Sequence, residues 1–145
     1  MSSTNDRLEK IFELEKEVVD FLNAKGWDLT HTGKTMLPYD AVGYTPKRKK
    51  CVVEMKFRNK YYDTKMMEFA KFDTLIKMDS DILKFYYVAD PKADWVFLLN
   101  DLVDIDTGDF YCASKTMWAS KKQNKTTYLL KEEESIIKYN RNAVN

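Results

Sequence analysis

Four side chains in this sequence are charged where their neighbours are apolar. The first two stand in Cys51-Val52-Val53-Glu54-Met55-Lys56-Phe57. Alternate residues of a strand point to opposite faces, so Cys51, Val53, Met55 and Phe57 make one apolar face. Glu54 and Lys56 then project side by side from the other. The acid-x-Lys spelling says little by itself, since it occurs at 54–56, 63–65 and 90–92. Only the first copy falls on a strand that reads as buried, although an ordinary salt bridge is the plain alternative. Asp40 interrupts the apolar run 37–44, where period two sets it on one face with Pro38 and Val42. An edge-strand acid facing water would look the same. Glu15 lies on the inward stripe of a helix marked by Leu8, Ile11, Val18, Val19 and Leu22. A carboxylate there is costly without a cation or donor, unless it sits at the helix edge with its head in solvent.

Together these residues make a carboxylate cluster with one amine. Two or three carboxylates can bind Mg²⁺ or Mn²⁺ and leave positions open for water and a phosphate oxygen. A neighbouring lysine can orient or deprotonate the attacking water, or neutralise charge as it develops on the phosphate. This is equipment for phosphodiester hydrolysis. The chain has one His and two distant Cys, which excludes most zinc sites and leaves a hard, oxygen-ligated cation. His31 precedes the cluster, and a hydrogen-bonded or exposed strand histidine is preferred there to a metal ligand.

The elements that must position these groups follow from the pattern. A length of 145 residues with 44% hydrophobic content excludes disorder and suits one domain, 1–145, with a core at 8–100 and an extension at 101–145. A net charge of +1 rules out inferring nucleic-acid binding from bulk charge alone. The acidic N-terminus reads as neither a secretory nor a transit segment, and no window approaches the ~18 apolar residues of a membrane span. A reducing cytoplasm is expected for two unclustered thiols, and common Lys, Asn and Tyr beside few Gly and Pro suit a bacterial, archaeal or phage-infected cell. The first helix should start at the caps of 2–5 and stop at Gly26, with strands at 27–32, 37–44 and 51–57. Asp63 and Thr64 should cap a second helix that buries Met66, Phe69, Ala70 and Ile76. Strands at 85–89 and 95–99, a hairpin pairing about 110–120 with 126–131, and a short helix at 132–139 complete the chain. The expected class is α/β (α+β), a mixed sheet flanked by helices.

Glu15 on the first helix, Pro38-Tyr39-Asp40 and Glu54-Met55-Lys56 resemble the motif set of the PD-(D/E)xK nuclease superfamily, with one residue inserted between Pro and Asp. The segment Glu15-Lys16-Glu17-Val18-Val19, with Leu22 and Gly26-Trp27 following, is most similar to archaeal-type Holliday-junction resolvases. The resemblance covers residues 8 to about 90 and implies a restriction-endonuclease-like αβββαβ core. It makes Asp40 and Glu54 metal ligands, helped by the backbone carbonyl of Met55. Glu15 would assist at the metal through water, and Lys56 would serve the attacking water. Two features depart from the pattern. The Ser-containing loop of the resolvases is here Thr32-Gly33-Lys34-Thr35, and the Gln of exonuclease relatives has only Lys65 or Lys71 to replace it.

The implied activity is a Mg²⁺- or Mn²⁺-dependent DNA endonuclease. It would be structure-selective and homodimeric, acting on branched or duplex DNA in recombination, repair or phage DNA processing. Lys34, Lys47, Arg48, Lys49, Arg58, Lys60 and Lys65 are the candidate phosphate contacts. A solvated hairpin tip would explain 47–50 equally well, and for Tyr61, Tyr62 and Lys65 an aromatic core or helix-entry packing cluster is preferred to a DNA groove. Trp118 with Lys115, Lys121, Lys122 and Lys125 forms a basic, aromatic hairpin, for which a simple exposed hairpin is preferred to a junction or dimer contact. A restriction-type or RNA-cleaving nuclease of the same superfamily is one alternative. A non-catalytic relative that binds nucleic acid or protein is the other.

Overall fold

The computed structural model describes residues 4–33, 35–113 and 122–141. Helix α1 (Thr4–Ala24) leads into strands β1 (Asp28–His31), β2 (Ala41–Tyr44) and β3 (Lys50–Phe57). Strand β4 (Thr64–Glu68) and helix α2 (Phe69–Ile76) follow, then β5 (Leu83–Ala89) and β6 (Asp94–Leu98). A hairpin of β7 (Asp106–Ala113) and β8 (Lys122–Lys131) precedes the short β9 (Ile137–Tyr139). The main sheet has the order β1-β2-β3-β5-β6-β9, and only β3 and β5 within it run parallel. A smaller antiparallel sheet has the order β4-β8-β7. This is the mixed α+β architecture expected from the pattern.

Both faces of the main sheet are covered, which is why β3 reads as nearly continuous apolar sequence. Cys51, Val53 and Met55 pack with Val18, Val19 and Leu22 of α1. Val52, on the opposite face, joins Phe72 and Leu75 of α2 with Met67 and Leu130 of the small sheet. Glu54 and Lys56 share the face of Val52 by the strand's period of two. Gly26 ends α1 as expected, with φ +102° and its N–H on the Asn23 carbonyl. Burial pushes the Cys51 thiol up to about 12, as suits an inert packed cysteine. Among the described residues no helix is long and apolar enough to cross a membrane.

Three local expectations fail for identifiable reasons. Residues 64–68 form a strand, because Lys65 and Met67 alternate inward and the backbone completes a ladder with β8. Helix α2 therefore begins later, without a side-chain cap, and buries Phe72 and Leu75 while Ala70 and Ile76 stay exposed. The expected helix at 132–139 is one 3₁₀ turn, Glu132–Glu134, followed by β9. There the open edge of β6 captures the chain, with the Ile136 N–H on the Val96 carbonyl and Ile137 in register with Val96. The second strand is shorter than 37–44. Pro38 supplies no donor, and regular pairing starts only at Ala41. A hairpin forms in this region but in another register, 126–129 pairing with 106–109 and 110–113 with 122–125, and β8 also pairs with β4, whereas Trp118, Lys115 and Lys121 lie outside the described residues.

Candidate active site

The site assembles where the irregular segment before β2 meets the second half of β3. Asp40 is anchored on both sides, its N–H donating to the Val53 carbonyl (2.9 Å) and its carbonyl accepting from Thr32 N–H (2.8 Å). Its Oδ2 accepts from the Met55 N–H at 2.8 Å. A carboxylate held by a backbone donor of the next strand cannot swing away, so Asp40 and β3 move as one piece. Asp40 and Glu54 line a cavity of about 360 Å³ together with Pro38, Tyr39 and Lys71.

Glu54 is 6% exposed, and its Oε1 accepts from Lys71 Nζ at 3.0 Å. The lysine comes from α2 and is about half exposed. Glu15, 4% exposed, takes a 2.7 Å contact between its Oε1 and His31 Nε2. Burial first, then the neighbouring Asp40 charge, push the Glu15 carboxyl up to about 8 despite Lys71. The same two causes push Glu54 up to about 7 against the pull of Lys71. The Lys71 ammonium is itself raised: burial would lower it, but Glu54 and Asp40 together outweigh that. Asp40 thus raises both glutamates, and Lys71 lowers both.

Of the expected site residues, Glu15, Asp40 and Glu54 are electrostatic neighbours. Lys56 is half-buried on the Glu54 face, in register with Val88. Among the described residues no three Asp, Glu, His or Cys side chains form a group able to hold a metal ion. Arg58 and Lys60 continue from the end of β3 beyond Lys56, with the Arg58 guanidinium beside the Tyr86 hydroxyl.

The remaining candidate phosphate contacts are placed differently. Lys47, Arg48 and Lys49 form the exposed turn between β2 and β3, where Tyr44 pairs with Lys50. Asp40 lies at the other end of these strands, so the turn stands roughly 20 Å from Glu54 at ~3.3 Å per residue. Lys65 is 4% exposed, with Nζ 2.8 Å from Asp90 Oδ2 and near the rings of Tyr61 and Trp95. It is a buried structural cation and not a groove contact. Lys34 lies outside the described residues.

Lys71, which the sequence offered only as a replacement for a missing Gln, is the basic group that meets Glu54. Its signal was weak, because the start of α2 was displaced by one strand. His31 is hydrogen-bonded as preferred, but its partner Glu15 is 16 residues away on another element, beyond any local pattern.

No protein-family model matches the chain, and no curated protein matches it by sequence. In three dimensions it is similar to Hjc, a Holliday junction resolvase from the archaeal hyperthermophile Archaeoglobus fulgidus. The two superpose with a TM-score of 0.56 over 86% of this chain and 85% of that one, at 12% sequence identity. The likeness is one of fold, a central mixed sheet flanked by helices.

Proposed function

We propose that the chain is a metal-dependent DNA endonuclease that hydrolyses phosphodiester bonds and selects substrates by shape. Branched DNA of the Holliday-junction type is its expected target, met by two copies of the chain, in recombination, repair or phage DNA processing. The observation that carries this reading is the convergence of Asp40 and Glu54 on one cavity, with Glu15 beside them. The resolvase-like fold supports the choice of substrate class.

The donor chemistry suits a hard dication, with two carboxylates, Asp40 and Glu54, on one cavity, although among the described residues no third acid joins them in a ligand group. Asp40, Glu54 and the Met55 carbonyl would hold Mg²⁺ or Mn²⁺, with Glu15 assisting. Such an ion, when bound, supplies charge neutralisation at the phosphate and makes bound water more acidic. The chain's own residues do the rest. Met55 N–H fixes the Asp40 carboxylate, and Lys71 fixes that of Glu54. Lys56 shares the Glu54 face and serves to orient the attacking water or take its proton. Arg58 and Lys60 lie at the correct end of β3 to meet the phosphates flanking the cleaved bond.

The test incubates purified protein with Mg²⁺ or Mn²⁺ and labelled four-way junctions, flaps, duplex, single-stranded DNA and RNA. Symmetric nicking of junctions by wild type, absent in Glu54→Ala, is the expected result. Equal cleavage by both proteins would refute the site. No cleavage of any substrate would leave a binding protein, and preference for RNA or unbranched duplex would move the assignment to another nuclease. Lys56→Ala should lose cleavage yet keep Mn²⁺ binding by calorimetry, and lost binding would overturn that division of labour.

A further inference from the structure

We propose that His31 is the positioning residue for Glu15, its Nε2–H donating to the Glu15 carboxylate and fixing that acid beside Asp40. The inference rests on the endonuclease reading for its functional consequence, but its structural half stands independently. Phe12 and Glu15 are three residues apart on α1 and so present one face of the helix to the end of β1. His31, the last residue of β1, fits between them. Its ring lies edge-on to Phe12, with centroids 6.1 Å apart and planes at 66°. Its Nε2 stands 2.7 Å from Glu15 Oε1.

Gly33 closes the remaining side. A Cβ at that position would stand 2.3 Å from Glu15 Oε1 and 2.5 Å from His31 Nε2. The backbone therefore passes directly against the hydrogen-bonded pair, and only glycine leaves the pair room. The same segment carries Thr32, whose N–H and hydroxyl bond the Asp40 and Tyr39 carbonyls. One short stretch thus sets the Glu15 partner, the wall of that contact and the backbone position of Asp40. Without a donor, a buried acid beside another acid would turn toward solvent or toward Lys71. With Oε1 tied to His31, the Glu15 carboxyl is held against Asp40.

The chain has a single histidine, so the ring ¹⁵N signals of labelled protein are unambiguous. The expected spectrum shows Nε2 protonated and shifted by Glu15→Gln. An unprotonated Nε2 would overturn the donor role, and signals indifferent to Glu15→Gln would overturn the contact. In cleavage assays His31→Ala should lower kcat by about 10–100-fold, the usual cost of losing a group that orients a metal-site ligand. KM for DNA should stay unchanged. His31→Gln, whose amide N–H reaches a similar place, should recover most of the rate. Gly33→Ala should reproduce the kcat loss without removing any polar group, because the clashing atoms are side-chain ends that can be pushed apart. Wild-type rates in His31→Ala, with Glu54→Ala inactive, would sink the proposal while sparing the endonuclease reading. Equal losses in His31→Ala and His31→Gln at unchanged melting temperature would sink it too. A wild type that cleaves nothing would remove the reading, and the ¹⁵N spectra would still decide the pair.

Discussion

Two buried clusters of acids and lysines occupy this small fold, and they are built on opposite electrostatic plans. At the cavity, Glu15, Asp40 and Glu54 share Lys71, and both glutamates are pushed up in pKa. At the turn between β5 and β6, Asp90 accepts from Lys65 Nζ (2.8 Å), Lys92 N–H (2.8 Å), Ala93 N–H (2.9 Å) and Trp95 Nε1–H (3.0 Å). Burial alone would raise Asp90, but Lys65 and the backbone donors outweigh it and hold the carboxyl below its ordinary value. The second cluster is formed by the other two acid-x-Lys segments, with Lys65 of 63–65 reaching Asp90 of 90–92. Identical spelling therefore yields a structural knot of four donors in one place and a cavity-lining acid in the other. Acids raised by burial and by one another beside a cavity mark a candidate functional site, whereas an acid lowered by its donors marks a structural one.

The largest effect expected from this contrast is on activity. Glu54→Gln should cut cleavage by roughly 10²–10⁴-fold, in the range for a group acting directly at the reacting centre. Its thermal midpoint should hold or rise, because the substitution removes a carboxylate that the fold does not compensate. A fall in both activity and stability would put Glu54 in the structural class with Asp90.

Next comes the knot itself. Lys65→Ala takes the lysine from buried Asp90 but leaves its three N–H donors, so the loss should approach, without exceeding, the cost of a broken buried pair, about 3–5 kcal/mol. Urea unfolding should register that loss, with cleavage by the remaining folded fraction unchanged. A stable Lys65→Ala with weakened DNA affinity would instead restore Lys65 to the groove, where the sequence first placed it.

Lys65 shows what the pattern could and could not convey. Glu54 and Glu15 were legible because each broke an apolar periodicity, and a buried break must be compensated by something. Asp40 was legible as a misfit, although its anchoring by the Met55 N–H on β3 depends on strand pairing that no local window encodes. Lys65 stood between a groove and a packing cluster, and it packs, but on the strand 64–68 and not at the entry of a helix. Its pairing with β8 joins residues more than sixty positions apart. The basic turn at 47–49 was rightly seen as a turn, yet strand direction puts it at the far end from Asp40. Local pattern therefore found the uncompensated acids, while their partners, Lys71 and His31, came from tertiary contact.

The two clusters should also respond to pH with opposite sign. Glu15 and Glu54 are raised in the folded protein, so between about pH 4.5 and about pH 8 the native state binds more protons than the unfolded chain. Stability then falls as pH rises through that window. Asp90 is lowered, so its contribution is present above the unfolded carboxyl value and is lost as pH falls through its folded value. Without divalent ions, urea midpoints should fall from pH 5 to pH 8 by at least about 1 kcal/mol in stability, and Glu54→Gln should flatten that slope. Asp90→Asn should leave it in place. A slope unaffected by Glu54→Gln would mean that the site acids are already compensated, which would erase the distinction between the clusters.

The smallest effect separates two ion pairs of nearly equal length. Lys65 Nζ lies 2.8 Å from Asp90, and Lys71 Nζ lies 3.0 Å from Glu54. The first lysine side chain is 3% exposed and the second 47%, so water screens the second pair and its lysine loses less on release. Lys71→Ala should therefore change stability by less than about 1 kcal/mol, the range for pairs open to solvent. Glu54 should nevertheless titrate higher, because Lys71 is the cation that lowers it. Carboxyl ¹³C titration of Glu54 in wild type and Lys71→Ala measures that shift. A change in Glu54 with little change in stability would mark Lys71 as a charge that tunes the site. A loss as large as that of Lys65→Ala would make it part of the framework.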